Sequence, residues 1–269
     1  PQMIRAVSPS SITQTIIQDC SFVSSLVVAA VYERRFKRPL ITSMIWPQDS
    51  SGVPVFNPSG KYMVRLKLNG CERRVVVDDL LPVSRDGRPM VSHSSEQGEL
   101  WVSIIEKAYM KISGGWDFPG SNSAIDMHAL TGWIPEQLSI GEQGFDASRL
   151  WERVLSGINF GDCLVTTATG PMVEHQAEKL GLVPTHAYAV VQVREVPGGV
   201  RMLQLKNPWA RRRWRGAYSA DDKQRWTAAL QRELAYDPAR AARADDGIFW
   251  IDLASLLRHF RGVYLNWNP

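Results

Sequence analysis

No apolar run in this sequence is long enough to span a bilayer. The longest, Phe22 to Tyr32, is interrupted by Ser24 and Ser25 and falls far short of the roughly 18–20 residues a membrane helix needs, so no transmembrane segment is expected. The start, Pro1-Gln2-Met3, lacks a basic stretch leading into an apolar one; no secretory leader is legible, and the segment reads as a piece of a longer chain. Cysteine is scarce. Cys20, Cys71 and Cys163 are an odd number at wide spacing, with no CxxC pair and no His close by, which excludes a disulfide scaffold and a zinc ribbon. Reduced thiols in the cytoplasm are the expectation. An excess of one charge is nearly absent too. Lys206, Arg211, Arg212, Arg213 and Arg215 form one basic strip, leaving 26 of the 31 basic residues against 27 acids. The footprint of a nucleic-acid binder is therefore missing, and the strip reads as a solvated face. Internal repeats and low-complexity tracts are also lacking. What remains, 269 residues with 44% hydrophobic and 22% charged side chains, is an ordinary globular chain able to bury a large core without crosslinks.

The apolar periodicity of Val23, Leu26, Val27, Ala30 and Val31 predicts a helix from Cys20 to Arg35. Tyr62 to Leu68 alternates apolar and polar, Asn69-Gly70 is a tight-turn pair, and Arg73 to Val77 returns, which predicts a hairpin. A second helix is expected over Glu99 to Ile112, stopped by Gly114-Gly115. The Gly-, Ser- and Asn-rich stretch 114–144 is expected to loop over the surface. Beyond it strands dominate, at 162–167, 187–193, 200–205 and 247–251. Helices followed by strands argue for an α+β chain of two subdomains, 1–143 and 144–269.

Cys20 would open a buried helix, where the macrodipole and free backbone N–H groups favour thiolate over thiol. The bland reading is a small buried hydrophobe. Among five histidines, His93 and His175 fall in polar, loop-like stretches, His128 in the Gly-rich segment and His259 at a helix end, whereas His186 directly precedes an apolar strand. His186 is the candidate base. Across the turn Pro197-Gly198-Gly199 the chain returns to Lys206-Asn207-Pro208-Trp209. Simple pairing sets Asn207 opposite residue 190, so a loop or bulge must bring it back toward His186. An Asn accepting the imidazole N–H would fix the tautomer, and Trp209 would shield that bond from water.

Gln14-x5-Cys20, His186-Ala-Tyr-Ala-Val and Lys206-Asn207-Pro208-Trp209 together resemble the three catalytic blocks of the calpain family. Val77-Asp-Asp-x-Leu-Pro82, the run around Glu99-Leu-Trp101 and Glu106-Lys-Ala-Tyr109, Thr131-Gly132 and Asp246-Gly-x-Phe-Trp250 support it. Asp19-Cys-Ser-Phe22 and the closing Tyr264-Leu-Asn-Trp-Asn-Pro269 are most similar to the PalB-type atypical calpains. The resemblance implies a papain-like cysteine protease fold, with a helical subdomain bearing Cys20 and a β-rich, barrel-like subdomain bearing His186 and Asn207 across a cleft. It further implies that Gln14 donates to the oxyanion hole, that substrates are proteins or peptides, and that proteolysis is limited and regulatory. Kinship with the PalB type implies recruitment to endosomal membranes with ESCRT-type partners, through domains outside this segment.

The sequence departs from conventional calpains where their core binds two calcium ions. The acidic positions of the first site fall on Ser11 and His128. Those of the second fall on Arg213 and Ile248, with Asp246 alone retained. Oxygen-rich calcium coordination is therefore not expected at either. Ser21 replaces the usual Trp after the nucleophile, and Thr185 the usual Gly before the histidine. Two other readings stand beside the protease: a catalytically silent binding module that docks through the Arg211–Arg215 strip, and an acyl transferase that passes the thioester to an amine.

Overall fold

A 3-10 turn at Pro9–Ser11 leads into strand β1 (Ile12–Thr13), and helix α1 (Cys20–Phe36) follows after a short loop. In this computed structural model, residues 2–244 and 246–269 are described. Every α1 residue from Ser21 to Ala30 is buried, so the helix is wrapped on all sides and needs no polar face. The predicted hairpin forms: β2 (Ile45–Trp46), β3 (Lys61–Leu68) and β4 (Cys71–Asp78) make a three-stranded antiparallel sheet. Asn69 and Gly70 turn it with φ of 51° and 74°, as a two-residue hairpin turn of the primed type requires. β5 (His93–Ser94) pairs with β1, and α2 (Trp101–Ile112) follows. Glu99 stays outside α2, where its Oε1 accepts the backbone N–H groups of Arg5 and Ala6 at 2.6 and 3.2 Å.

The stretch expected to be a surface loop instead carries α3 (Ser123–Thr131) and β6 (Ile134–Ser139). Its polar residues are the punctuation of these elements: Asn122 Oδ1 accepts the Ala124 N–H at 2.8 Å as an N-cap, and Gly132 ends α3 in the left-handed region. β6 is a strand only because β11, at the far end of the chain, pairs with it, and local pattern carries no sign of that. The second half also holds helices that its strand-rich reading omitted. Its order is α4 (Ala147–Phe160), β7 (Cys163–Thr169), α5 (Glu174–Leu180), β8 (Ala187–Val196), β9 (Val200–Lys206), α6 (Ala228–Glu233), α7 (Pro238–Arg243), β10 (Ile248–Asp252), α8 (Leu253–His259) and β11 (Phe260–Trp267). The helical secondary structure there is why His175, read as a loop residue, lies on α5.

Six strands form one antiparallel sheet in the order β10-β9-β8-β7-β11-β6. The ladder has two edges, so the expected barrel is corrected to an open α+β sheet. Strand alternation explains why closure is unnecessary. Leu164 and Ala189 point from one face into the core built by α1, α2 and the three-stranded sheet, while Cys163, Val165, Tyr188 and Val190 point from the other into a core with Trp151, Val154 and Leu256. Helices cover both faces, and the sheet has no need to curl onto itself. α1 lies directly on β8, where Ser24 Oγ donates to the Ala187 carbonyl at 3.2 Å.

Candidate functional site

The α1–β8 contact sets the start of the helix, Cys20, beside the start of the strand, where His186 stands. His186 is held at both ends of its own peptide. Its N–H donates to Thr169 Oγ1 at 3.0 Å, and its carbonyl accepts from Thr169 N–H at 3.0 Å. A bulge between Val190 and Gln192 shifts the β8–β9 register so that Ala189 faces Lys206, which brings Asn207 back toward His186. The imidazole Nε2 lies 2.8 Å from Asn207 Oδ1.

The orientation of the Asn207 amide follows from its other partners. Its Nδ2 donates to the carbonyls of Arg211 and Arg212 at 2.6 and 3.0 Å, and its Oδ1 also accepts the Trp209 N–H at 3.1 Å. Carbonyls only accept, so Oδ1 must be the atom toward the imidazole and Nε2 must carry the proton. Nδ1 is then the bare, basic nitrogen. The chain wraps Asn207 tightly, with Thr185, Ala210 and Arg212 all in the left-handed region at φ of 47°, 56° and 55°. Such strain, about 1–2 kcal/mol per residue, is a common mark of a site whose geometry is over-determined. Thr185 adopts the conformation that suits glycine. Gly247 is required here as well: a Cβ on it would fall 2.5 Å from the Asn207 carbonyl, and its own carbonyl accepts the Asn207 N–H at 3.0 Å. Trp209 covers the pair, its ring centroid 4.7 Å from the imidazole, and Arg211 lies over the indole at 5.7 Å.

Burial pushes His186 down to about 4, against the raising effect of its Asn207 bond. Burial also raises the Cys20 thiol; the Ala187 backbone amide opposes this, while Asp19 and Asp126 add to it. Both shifts favour the neutral forms, thiol and imidazole. The thiolate expected from the helix N-terminus alone is outweighed by desolvation and two neighbouring acids.

Gln14 is buried and ties the loop before Cys20 to the segment after Asn207, its N–H donating to the Pro208 carbonyl at 2.8 Å. Its Nε2 donates to the Ile17 carbonyl at 2.8 Å and to Asp19 Oδ1 at 3.2 Å, and its Oε1 has no partner. The same loop forms one wall of a groove of about 410 Å³, with Ile16, Ile17 and Gln18 facing Trp116, Phe118 and Pro119. A larger cavity, about 660 Å³, lies at the opposite end of α1, by Glu33 and Lys37, roughly 24 Å away along a helix of this length.

The positions compared with calcium-binding loops have other partners. Ser11 Oγ bonds with Ser8 and Ser94, His128 Nδ1 with the Trp133 carbonyl at 2.9 Å, and Arg213 donates to the carbonyls of Ala241 and Ala242. Ile248 opens β10. A guanidinium seated on the last carbonyls of α7 does not fit a divalent cation beside it. Lys206, read as part of a solvated strip, is fully buried: Nζ donates to the carbonyls of Ser10 and Asp246, and burial lowers it to about 8. Sequence reasoning missed this tie, although the apolar strand running into Lys206 carried the signal. Among the described residues, no group of three or more His, Cys, Asp or Glu side chains is placed to hold a metal ion, and no helix is long and apolar enough to cross a membrane.

The family model described as calpain family cysteine protease matches residues 1–266. Calpain-7 of Mus musculus is 53% identical over 271 aligned positions, covering all of this chain and 33% of that protein. The calpain-like protease palB/RIM13 of Aspergillus oryzae is 40% identical over 261, covering 97% of this chain and 29% of that protein. The calpain-type cysteine protease DEK1 of Zea mays is 31% identical over 266, covering 97% of this chain and 11% of that protein. The chain spans about a third or less of the length of these curated relatives.

Proposed function

The chain belongs to the calpain family of cysteine proteases, with atypical calpains of the Calpain-7 and PalB types among its close relatives, and we propose that it is the peptide-cleaving core of a cysteine endopeptidase. The observation that carries this reading is the Nε2–Asn207 bond, because it leaves Nδ1 of His186 as the free basic nitrogen, at the strand start against which the Cys20 end of α1 packs. In the proposed reaction Nδ1 takes the thiol proton as Sγ attacks a peptide carbonyl. The neutral resting pair means that charge develops only on attack, where an oriented imidazolium and nearby N–H groups stabilise it. The imidazolium then protonates the leaving amine, and water enters to cleave the thioester.

The backbone N–H of Cys20 and Nε2 of Gln14 are the proposed donors to the oxyanion. Both Gln14 hydrogens have internal acceptors, and the 3.2 Å bond to Asp19 is the longer one and the one to be exchanged for substrate. One such donor contributes roughly 3 kcal/mol to the transition state. The apolar groove between Ile16 and Trp116 would seat substrate side chains on one side of the scissile bond. We assign no calcium to this core: the ties that Lys206 and Arg213 make to backbone carbonyls would serve the alignment that a metal serves elsewhere. Limited proteolysis in the cytoplasm at endosomal membranes, with ESCRT-type partners, is proposed for the longer protein.

The direct test is cleavage of an unfolded protein substrate and of fluorogenic peptides, with Cys20→Ala as the blank. Cleavage lost in the blank supports hydrolysis. Substrate joined to an added amine, with little free acid, would support acyl transfer. No turnover in either form, with the protein folded, would overturn the enzymatic reading in favour of a binding module.

A further inference from the structure

Three carboxyl groups with no exposed surface lie behind the nucleophile: Asp19 at the start of α1, Glu106 on α2 and Asp126 on α3. None of the groups acting on Asp19 is a cation. They are Glu106 and Asp126, both acids. The three differ in how they are satisfied. Asp126 Oδ1 accepts from Tyr109 Oη at 2.5 Å, with the hydroxyls of Ser21 and Ser121 also in reach. Both oxygens of Glu106 accept the single Ser92 N–H, at 3.0 and 2.9 Å. Asp19 Oδ1 accepts from Gln14 Nε2, but Oδ2 finds no N–H or hydroxyl donor. The neighbour it does have is Glu106: Phe22 on α1 stacks on Tyr109 on α2 with ring centroids 4.0 Å apart, and Asp19 and Glu106 stand three residues before each, so the two acids act on one another at the same helix contact.

Two acceptors meet in a hydrogen bond only if one holds a proton. An ionised pair in contact, buried and without a cation, would combine desolvation with repulsion. One proton between the two carboxyls removes both penalties and gives Asp19 Oδ2 the donor it lacks. It also reduces the charge on Asp19 Oδ1, which faces the Gln14 amide and competes with substrate for that N–H.

We propose that Asp19 and Glu106 are positioning residues that share one proton, and that this proton keeps the Gln14 amide free to turn toward a substrate oxyanion. The inference rests on the oxyanion role proposed for Gln14. With the proton in place, Asp19 holds Gln14 loosely. When it is lost as pH rises, two carboxylates face each other, Oδ1 grips the Gln14 N–H, and the donor is withheld. Burial, Glu106 and Asp126 all raise Asp19, and burial raises Glu106, so the protonated state extends upward from the ordinary carboxylate range.

Glu106→Gln reproduces the charge and the hydrogen bond of the singly protonated pair and cannot titrate, whereas Glu106→Ala removes both. Infrared difference spectra of the folded full chain read the proton without needing turnover. The expected result is a protonated-carboxyl C=O band that persists above the ordinary carboxylate range, titrates away as pH rises further, and is missing in Glu106→Gln. Catalysis is read as kcat and KM for peptide cleavage across pH, or as the rate of Cys20 alkylation. Glu106→Ala is expected to lower kcat about tenfold or more with KM changed less than twofold, and Glu106→Gln to rescue it and flatten the alkaline limb. A band identical in wild type and Glu106→Gln overturns the shared proton. If the band behaves as expected but Glu106→Ala and Glu106→Gln follow the wild-type pH profile, differing only in melting temperature, the link to Gln14 is overturned. A wild type that carries the band and labels at Cys20 but cleaves no peptide would count against the protease reading and leave the pair intact.

Discussion

Around His186 the polar atoms that position the imidazole have partners, and Nδ1 is left bare. The imidazole meets Asn207, both Asn207 hydrogens meet carbonyls, and Thr169 closes the His186 peptide from both sides. Around Cys20 the reverse holds: Gln14 Oε1, Asp19 Oδ2 and Asp126 Oδ2 are buried without a donor, and three carboxyls crowd one helix start. In the proposed reaction the two walls take different parts, and their hydrogen-bond order differs accordingly. The β-rich wall is rigid because its hydrogen bonds are complete, and completing them strains three non-glycine residues into the left-handed region. The helical wall holds groups that change partner or proton, which suits the side where charge appears on the oxyanion and where the thiol loses its proton.

The largest effects separate the walls by stability. Asn207→Ala strands two partly buried carbonyls and the buried Nε2 proton, so it is expected to lower stability by about 3 kcal/mol and turnover by roughly 100-fold or more. Gln14→Ala should lower kcat by about 100-fold while lowering stability less than Asn207→Ala does, by about 1–2 kcal/mol, since it loses only the Nε2 bonds to Ile17 and Asp19. Urea unfolding beside peptide kinetics checks both. Equal stability losses would erase the distinction between the walls.

A smaller effect concerns the cover on the rigid wall. The base works as neutral imidazole, so activity falls as pH drops through its pKa, which burial holds at about 4. Trp209→Ala admits water, and the acid limb of kcat/KM should move up toward the ordinary 6.5. An unmoved limb would mean that Trp209 does not desolvate the pair. The same shift has a stability consequence. Because the unfolded chain binds a proton near 6.5 and the folded one only near 4, the His186 contribution is complete above pH 6.5 and is lost as pH falls toward 4. Melting temperature compared with Asn207→Ala across that window reads it. The smallest expected effect is that of calcium. With Arg213 and Lys206 on backbone carbonyls, millimolar calcium or a chelator should change the Cys20 alkylation rate by less than about twofold. A large calcium dependence would mean that the loops rearrange around a metal.

The sequence made α1 and the β3–β4 hairpin legible because each carries its own period, and the hairpin its own turn in Asn69-Gly70, whereas the end of α1 at Lys37, a left-handed residue that is not glycine, carried no such signal. α4 was equally readable from the Asp146 cap, the apolar residues Leu150, Trp151, Val154 and Ile158, and Gly161, but the strand-dominated expectation for the second half left it out. β6 was not readable at all, since it owes its form to β11. At the site, the His186–Asn207 meeting follows from hairpin geometry plus one bulge, and spacing anticipated the need for that correction. The acid pair was hidden. Asp19 and Glu106 stand far apart in the chain inside motifs whose other members attract notice, and only packing of α1 against α2 brings them together.

The central claim is that Cys20 is a nucleophile activated by His186. Its most direct test is exposure of the folded chain to an epoxysuccinyl thiol probe, with intact mass and peptide mapping, beside His186→Ala. The account predicts a single adduct on Cys20, none on Cys71 or Cys163 at the same dose, and a labelling rate that collapses in the variant. Labelling that is absent, spread over the three thiols, or indifferent to His186 would contradict it.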